Sequence, residues 1–206
     1  MGRIRELERT SGRKQRNPVV YLVCEGSETE IRYFKKFRSR GCHIDIVPIP
    51  SQYKSADKLV QKARATLGSS PYYPEDGDVI WCVFDRDENT NQMLDKAFRV
   101  AEKEGYRIAY SNPSFEIWFL YHFVNQTAEV VDCQAAVTLL KQKGRLEQYE
   151  KNKNVYERLK PMQSVAIART KQRRIALESE HCTIIARQSN PVTTVFELVE
   201  FLKKKQ

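Results

Sequence analysis

Two runs of β-branched and apolar residues, PVVYLVC at 18–24 and DVIWCVFD at 78–85, constrain the fold of this chain more than any other feature. Neither run alternates polar with apolar. Each therefore reads as a strand covered on both faces, which is the signature of a parallel sheet between layers of helix. The segments around them supply the helices. In EGSETEIRYFKKF, Ser27 stands three residues before Glu30, a capping-box spacing, and Ile31, Phe34 and Phe37 recur on one helical face. HIDIVPIP at 43–50 alternates as a strand, with Pro48 marking an edge position. SADKLVQKARATLG at 55–68 reads as a helix from a Ser55 cap to a Gly68 stop, and PYYPEDG at 71–77 as a turn-rich loop. TNQMLDKAFRVAEKEG at 90–105 is a further helix, YRIAYSNP at 106–113 a short strand broken by Pro113, and SFEIWFLYHF at 114–123 an aromatic helix that Ser114 can cap. Strands alternating with helices define an α/β protein with a mostly parallel sheet flanked by helices.

Past residue 125 the pattern becomes helical, with segments at 132–144, 152–160, 164–178 and 193–205. In the last of these, Val195, Leu198, Val199 and Leu202 form an i, i+3, i+4, i+7 stripe. The expected organisation is a basic flexible arm at 1–17, an α/β core at 18–125 and a helical extension at 126–206 packed on that core.

Lysine and arginine number 35 against 26 acids, a formal charge of +9, and the excess is concentrated at 1–17 and 139–174. Such placement fits either a solvated surface or attraction to a polyanion, and its unevenness favours nucleic acid. The five cysteines are dispersed with no CxxC pair, so they read as reduced thiols in a cytoplasmic protein, and a zinc site is not expected. No apolar run approaches the ~18 residues of a membrane span, and the charged N-terminus lacks a secretory h-region.

The buried run at 78–85 ends in acids: Asp85, Asp87 and Glu88 within four positions. The run at 18–24 ends at Glu25, followed by Gly26. Ligands of open parallel sheets bind beyond the carboxyl ends of strands. If the chain stays extended, Asp85 and Asp87 face the same way, roughly 6.5–7 Å apart. Like charges about 4 Å apart repel by ~4 kcal/mol at an effective dielectric of ~20. A hard divalent cation relieves this repulsion. A solvated turn is the plainer reading of Asp-x-Asp alone. Glu25 at a second strand tip, with a Gly that leaves helix amides free for phosphate, shifts the balance toward a site. Glu116 has two readings: a first-turn carboxylate favoured by the helix dipole, or a further metal ligand. Trp118, Phe119, Tyr121, Phe123 and His122 read as core, and Asn112 as a group that orients a carboxylate or backbone.

VCEG at 23–26 with FDRDE at 84–88 resembles the Toprim pattern of topoisomerases, bacterial primases and overcoming-lysogenization-defect nucleases. With SNPSFEIWFLYHF and NPVTTVFELVEFL added, the chain from about 18 to 202 resembles the RloB-like (AbiLii-like) phage-defence family. The resemblance implies a Toprim-like core and a nuclease dependent on Mg²⁺ or Mn²⁺, encoded beside an AAA/ABC-type ATPase. It aligns Glu25, Asp85 and Asp87 with the catalytic and metal-binding carboxylates, with Glu116 as an additional ligand. Lys153 and Arg169 fall in stretches that share the resemblance and could clamp substrate phosphates, although a solvated face is the commoner meaning of such residues. One departure is plain: many Toprim proteins carry Asp-x-Asp-x-x-Gly, whereas Asn89 and Thr90 follow here.

The expected reaction is two-metal hydrolysis of phosphodiester bonds in DNA or RNA during abortive infection, by a protein that could self-associate. The alternative is a non-catalytic module whose site binds nucleotide or nucleic acid and regulates the ATPase. A nucleotidyl transferase or primase is disfavoured because the chain lacks room for the extra domains, and no Walker loop is present.

Overall fold

The computed structural model describes residues 17–25, 28–48, 51–87 and 89–206. The chain enters a central sheet directly through β1 (Val19–Cys24) and turns into the short helix α1 (Thr29–Phe34). Next come β2 (His43–Pro48), α2 (Ala56–Thr66), β3 (Val79–Asp85), α3 (Asn91–Glu104) and β4 (Arg107–Asn112). The rest is mainly helical: α4 (Glu116–Tyr121), α5 (Cys133–Leu140), α6 (Tyr156–Leu159), α7 (Gln163–Ser179) and α8 (Val195–Lys203). A two-residue strand, β5 (Val192–Thr193), precedes α8. The sheet order is β2-β1-β3-β4-β5, parallel except for β5, so the α/β class with a helical C-terminal part is as expected.

Both faces of the sheet are covered, which is why β1 and β3 need no polar alternation. Val20, Leu22 and Cys24, with Trp81 and Val83, belong to one cluster, built with α1, α4 and the helices that follow. Val19, Tyr21 and Val23, with Ile80, Cys82 and Phe84, belong to the other, built with α2 and α3. The helix faces follow from handedness. The path from β1 to β2 runs one way across the sheet, while those from β2 to β3 and from β3 to β4 run the other. Crossovers of a single hand then place α1 on the opposite face from α2 and α3. Direction reverses between β1 and β3, leaving a crevice beyond their carboxyl ends.

Several local expectations differ from the structure. The helix expected at 90–105 begins one residue later, because Thr90 is its N-cap and its side chain accepts from Met93 N at 3.3 Å. Ser55 occupies the N-cap of α2, yet its Oγ donates to Asp57 Oδ1 at 2.9 Å instead of capping. Ser114 is not the cap of α4, because Phe115 holds that place and no side chain caps it. Ser27, expected to cap α1, lies outside the described residues, as do residues 1–16 of the basic arm. The expected helices at 132–144 and 152–160 shorten to α5 and α6, since the chain turns through Gly144 at φ +83° and resumes only at Tyr156. β5 is too short to leave a periodic trace.

The loop before β3 is held by one buried carboxylate. Asp78 accepts from Val19 N at 2.7 Å and from Tyr73 N at 2.8 Å, tying the start of β1 to the loop. Asp78→Ala is expected to cost about 2 kcal/mol by orphaning these amides, read as a lower urea midpoint at unchanged slope.

Candidate active site

Glu25 follows the last residue of β1, and Asp85 is the last residue of β3, so both stand at the reversal point between these strands. Their registers bring them together: Asp85 N donates to Glu25 Oε2 at 3.3 Å, and Glu25 N donates to Val83 O at 3.0 Å. Asp85 continues the parity of Trp81 and Val83, on the face that carries α1 and α4. Those helices contribute Glu30 and Glu116, both buried. A cavity of 660 Å³ opens here. Its lining includes seven acids, Glu25, Glu28, Glu30, Asp85, Asp87, Glu116 and Glu150, against two lysines, Lys54 and Lys151.

The crowding of carboxylates is electrostatically costly. Burial pushes Glu25 up to about 7, and Asp87 and Glu30 add to the rise, while the Asp85 amide and Lys54 oppose it. Asp85 is pushed well above the ordinary carboxylate range, first by burial and then by Glu30, Glu116 and Glu25, with the Phe115 amide opposing. Glu30 rises as well, through burial and Glu116, against its own amide and Lys151. Two or more carboxylates that suppress one another's ionisation are a frequent mark of functional sites. Glu116 is the most firmly held. Its Oε1 accepts from Tyr149 OH at 3.0 Å and lies 3.9 Å from Lys151 Nζ, and Cys133 Sγ donates to its Oε2 at 3.5 Å. Burial disfavours the Lys151 charge, but Cys133 and Glu116 outweigh this, and the ammonium is held above its ordinary range.

Asp87 departs from the expected geometry. The strand ends at Asp85, and Asp87 has φ 36°, so the two do not share an extended face. Asp87 still lines the cavity from an exposed position. Arg86 between them does not neutralise the acids: its guanidinium donates to Ile185 O and to Asn91 Oδ1. Glu88 lies outside the described residues. Asn89 pins the turn, donating from Nδ2 to Asp85 O at 3.0 Å and accepting from Ala56 N at 2.8 Å. The latter satisfies one of the orphan amides at the start of α2.

The expected phosphate clamps lie elsewhere. Lys153 pairs with Glu150 at 3.0 Å at the surface, and Arg169 donates to Tyr121 O at 2.9 Å; neither lines the cavity. Asn112 donates to Ser189 Oγ at 3.3 Å and Ala186 O at 3.4 Å, fastening the connection before β5 rather than a carboxylate. His122 is buried with Nδ1 2.9 Å from Trp118 O, as a core histidine. Glu30, Tyr149 and Lys151 join the site although no sequence pattern places them there. The sequence offered a hint only for Glu30, which follows Glu25 and Glu28 in EGSETE; Tyr149 and Lys151 sit in an aperiodic loop.

An all-oxygen donor set with excess negative charge suits a hard divalent cation by its chemistry. Among the described residues, no three His, Cys, Asp or Glu groups already stand close enough to enclose one. The lining also includes Lys54 and Lys151, which can meet anionic oxygens. Fold and site together define an α/β protein with a carboxylate-rich crevice at the switch point of a mostly parallel sheet. The chain belongs to the RloB-like protein family, whose model matches residues 20–202. No curated protein and no solved structure matches it. Among the described residues no helix is long and apolar enough to cross a membrane.

Proposed function

We propose that this protein is a Toprim-like, Mg²⁺- or Mn²⁺-dependent nuclease acting in bacterial anti-phage defence by abortive infection. The observation that carries this reading is the hydrogen bond joining Glu25 to Asp85 at two neighbouring strand tips, with Glu30 and Glu116 adding charge of the same sign. Membership of the RloB-like family supports the defence role. Glu25, Asp85, Glu30 and Glu116 would hold the cation, with Asp87 reaching it from the cavity edge. A divalent ion bound there supplies charge stabilisation at the phosphoryl oxygens and acidifies a water molecule. Glu25, at the tip of β1 beside Asp85, would take a proton from the attacking water. Tyr149 and Cys133 fix the Glu116 carboxylate through one oxygen each. Lys151 and Lys54 offset the negative charge of an incoming phosphodiester. A partner ATPase of the AAA/ABC type and self-association belong to the same proposal.

One observation favours a second reading, a non-catalytic binding module that regulates such an ATPase: Asp87 leaves the strand instead of pairing with Asp85. Incubating the purified chain with plasmid, single-stranded DNA and total tRNA, with Mn²⁺ or with chelator, separates the two. The nuclease reading expects fragments only with the cation. Intact substrates in every arm, with the ATPase present as well, would leave the binding module.

A further inference from the structure

Alongside the acidic cavity lies a second groove of opposite charge. It has a volume of 310 Å³ and is lined by Glu28, Ile31, Arg32, Lys35, Lys36 and Asn154. It adjoins the acidic cavity at Glu28, which lines both. The two spaces share their walls: α1 and the turn after it on one side, the 150–154 loop on the other.

The spacing of apolar residues along IRYFKKF creates the cationic wall. Tyr33, Phe34 and Phe37 are buried in the core, which leaves Arg32, Lys35 and Lys36 on the free face. Arg32 reaches Glu28 at 3.4 Å in an exposed i, i+4 pair that contributes little. Among the described residues, Lys35 and Lys36 have no ion-pair partner. Asn154 uses its Oδ1 on Tyr156 N at 2.9 Å, so its amide NH₂ stays uncommitted among the described residues. A polyanion approaching a cluster of carboxylates is repelled unless cations meet it outside. This groove supplies them at the boundary of the cavity, where the charge changes sign.

We infer that the groove of Arg32, Lys35 and Lys36 is a phosphate-backbone subsite, which receives the stretch of a nucleic-acid strand next to the phosphodiester held in the acidic cavity. The inference rests on the nuclease reading and deepens it: the substrate is a polymer that leaves the cavity over α1. A mononucleotide phosphodiester would occupy the cavity and leave the groove empty. The contact is to phosphate, so it favours no base sequence.

The test is binding without turnover. Labelled short single-stranded DNA and RNA oligonucleotides are titrated with the full chain in chelator, by fluorescence anisotropy over a range of salt. The variants are Lys35→Ala with Lys36→Ala and, as a control of equal charge change, Arg99→Ala with Lys103→Ala on the exposed face of α3. The groove variant is expected to bind about tenfold more weakly, and its log–log salt slope to fall by about 1.4, since each lost phosphate contact on a single strand removes about 0.7. The control is expected to stay within about twofold of the wild type. Equal weakening in both variants would overturn the subsite and leave the nuclease reading standing. An oligonucleotide that fails to bind even the wild-type chain would overturn the subsite, while cation-dependent cleavage tests the nuclease reading separately. Polyglutamate bound as tightly, with the same loss in the groove variant, would overturn the nucleic-acid assignment.

Discussion

Under the proposed nuclease function, Asp85→Asn is expected to lower divalent-dependent cleavage by about three orders of magnitude and to leave the fold intact. The magnitude is that expected when one preorganised electrostatic partner of a reaction is lost. Asparagine keeps the size and shape of the side chain and removes only its charge. The fold tolerates that loss because burial and the surrounding glutamates already press this carboxyl toward its neutral form. Asp87→Asn is the companion variant. Asparagine accepts a positive φ as readily as aspartate, so it tests charge without disturbing the turn at φ 36°. Plasmid nicking in Mn²⁺ gives the rate, and a thermal melt gives the fold. Wild-type cleavage by the Asp85→Asn, Asp87→Asn double variant would sink the assignment. Loss of activity together with loss of the folding transition would sink the claim that the effect is electrostatic.

In chelator, the protein is expected to lose stability as pH rises from about 4.5 to about 7. Glu25 has its folded pKa raised above the unfolded value, from 4.5 to about 7. The fold therefore favours the protonated carboxyl. Below 4.5 both states carry the proton and no penalty arises. Across the window the unfolded chain ionises first, and by about 7 the penalty is complete. A shift of this size is worth at most about 3 kcal/mol, or a fall in Tm of roughly 6–12 °C for a chain of this length. Asp85 and Glu30 act in the same direction. Asp57, lowered chiefly by Lys96 and Ser55 despite the burial that opposes it, acts in the opposite direction from the surface and contributes little. Glu25→Gln isolates the effect, because glutamine can still accept from the Asp85 amide and cannot ionise. The difference in Tm between wild type and Glu25→Gln should grow from pH 4.5 to 7 and shrink when Mn²⁺ is added. A difference that stays constant across the window would show that Glu25 titrates normally.

The legible parts of this fold are those in which one residue type serves one purpose over a long run. The apolar blocks at 18–24 and 78–85 admit a strand between two helical layers and little else, and their ends mark where Glu25 and Asp85 must emerge. The α3 helix stops at Gly105, at φ +70°, the expected end of the segment at 90–105. Asn89 illustrates the opposite case. Its side chain bonds to both Asp85 O and Ala56 N, a tertiary arrangement that no local pattern encodes. Lys153 and Lys151 differ by two positions in one charged loop, and only the folded path of that loop turns Lys151 toward Glu116. The acidic cavity needs α1, α4 and the 149–152 loop together, so Glu30 and Tyr149 acquire their meaning from packing.

The abbreviated β5 has a consequence for how the molecule behaves in a crowded cell. Beyond its two paired residues, the chain keeps the border of β4 occupied with a side chain: Thr194 N donates to Tyr110 O at 2.8 Å, and Thr194 Oγ1 accepts from Tyr110 N at 2.9 Å. Threonine here imitates the next rung of the ladder while the backbone already turns into α8. At the opposite border β2 closes at Pro48. A sheet sealed at one side by an imitation rung and ended at the other by proline offers a poor template for stacking against its own copies, and amyloid-like recruitment is discouraged at both margins.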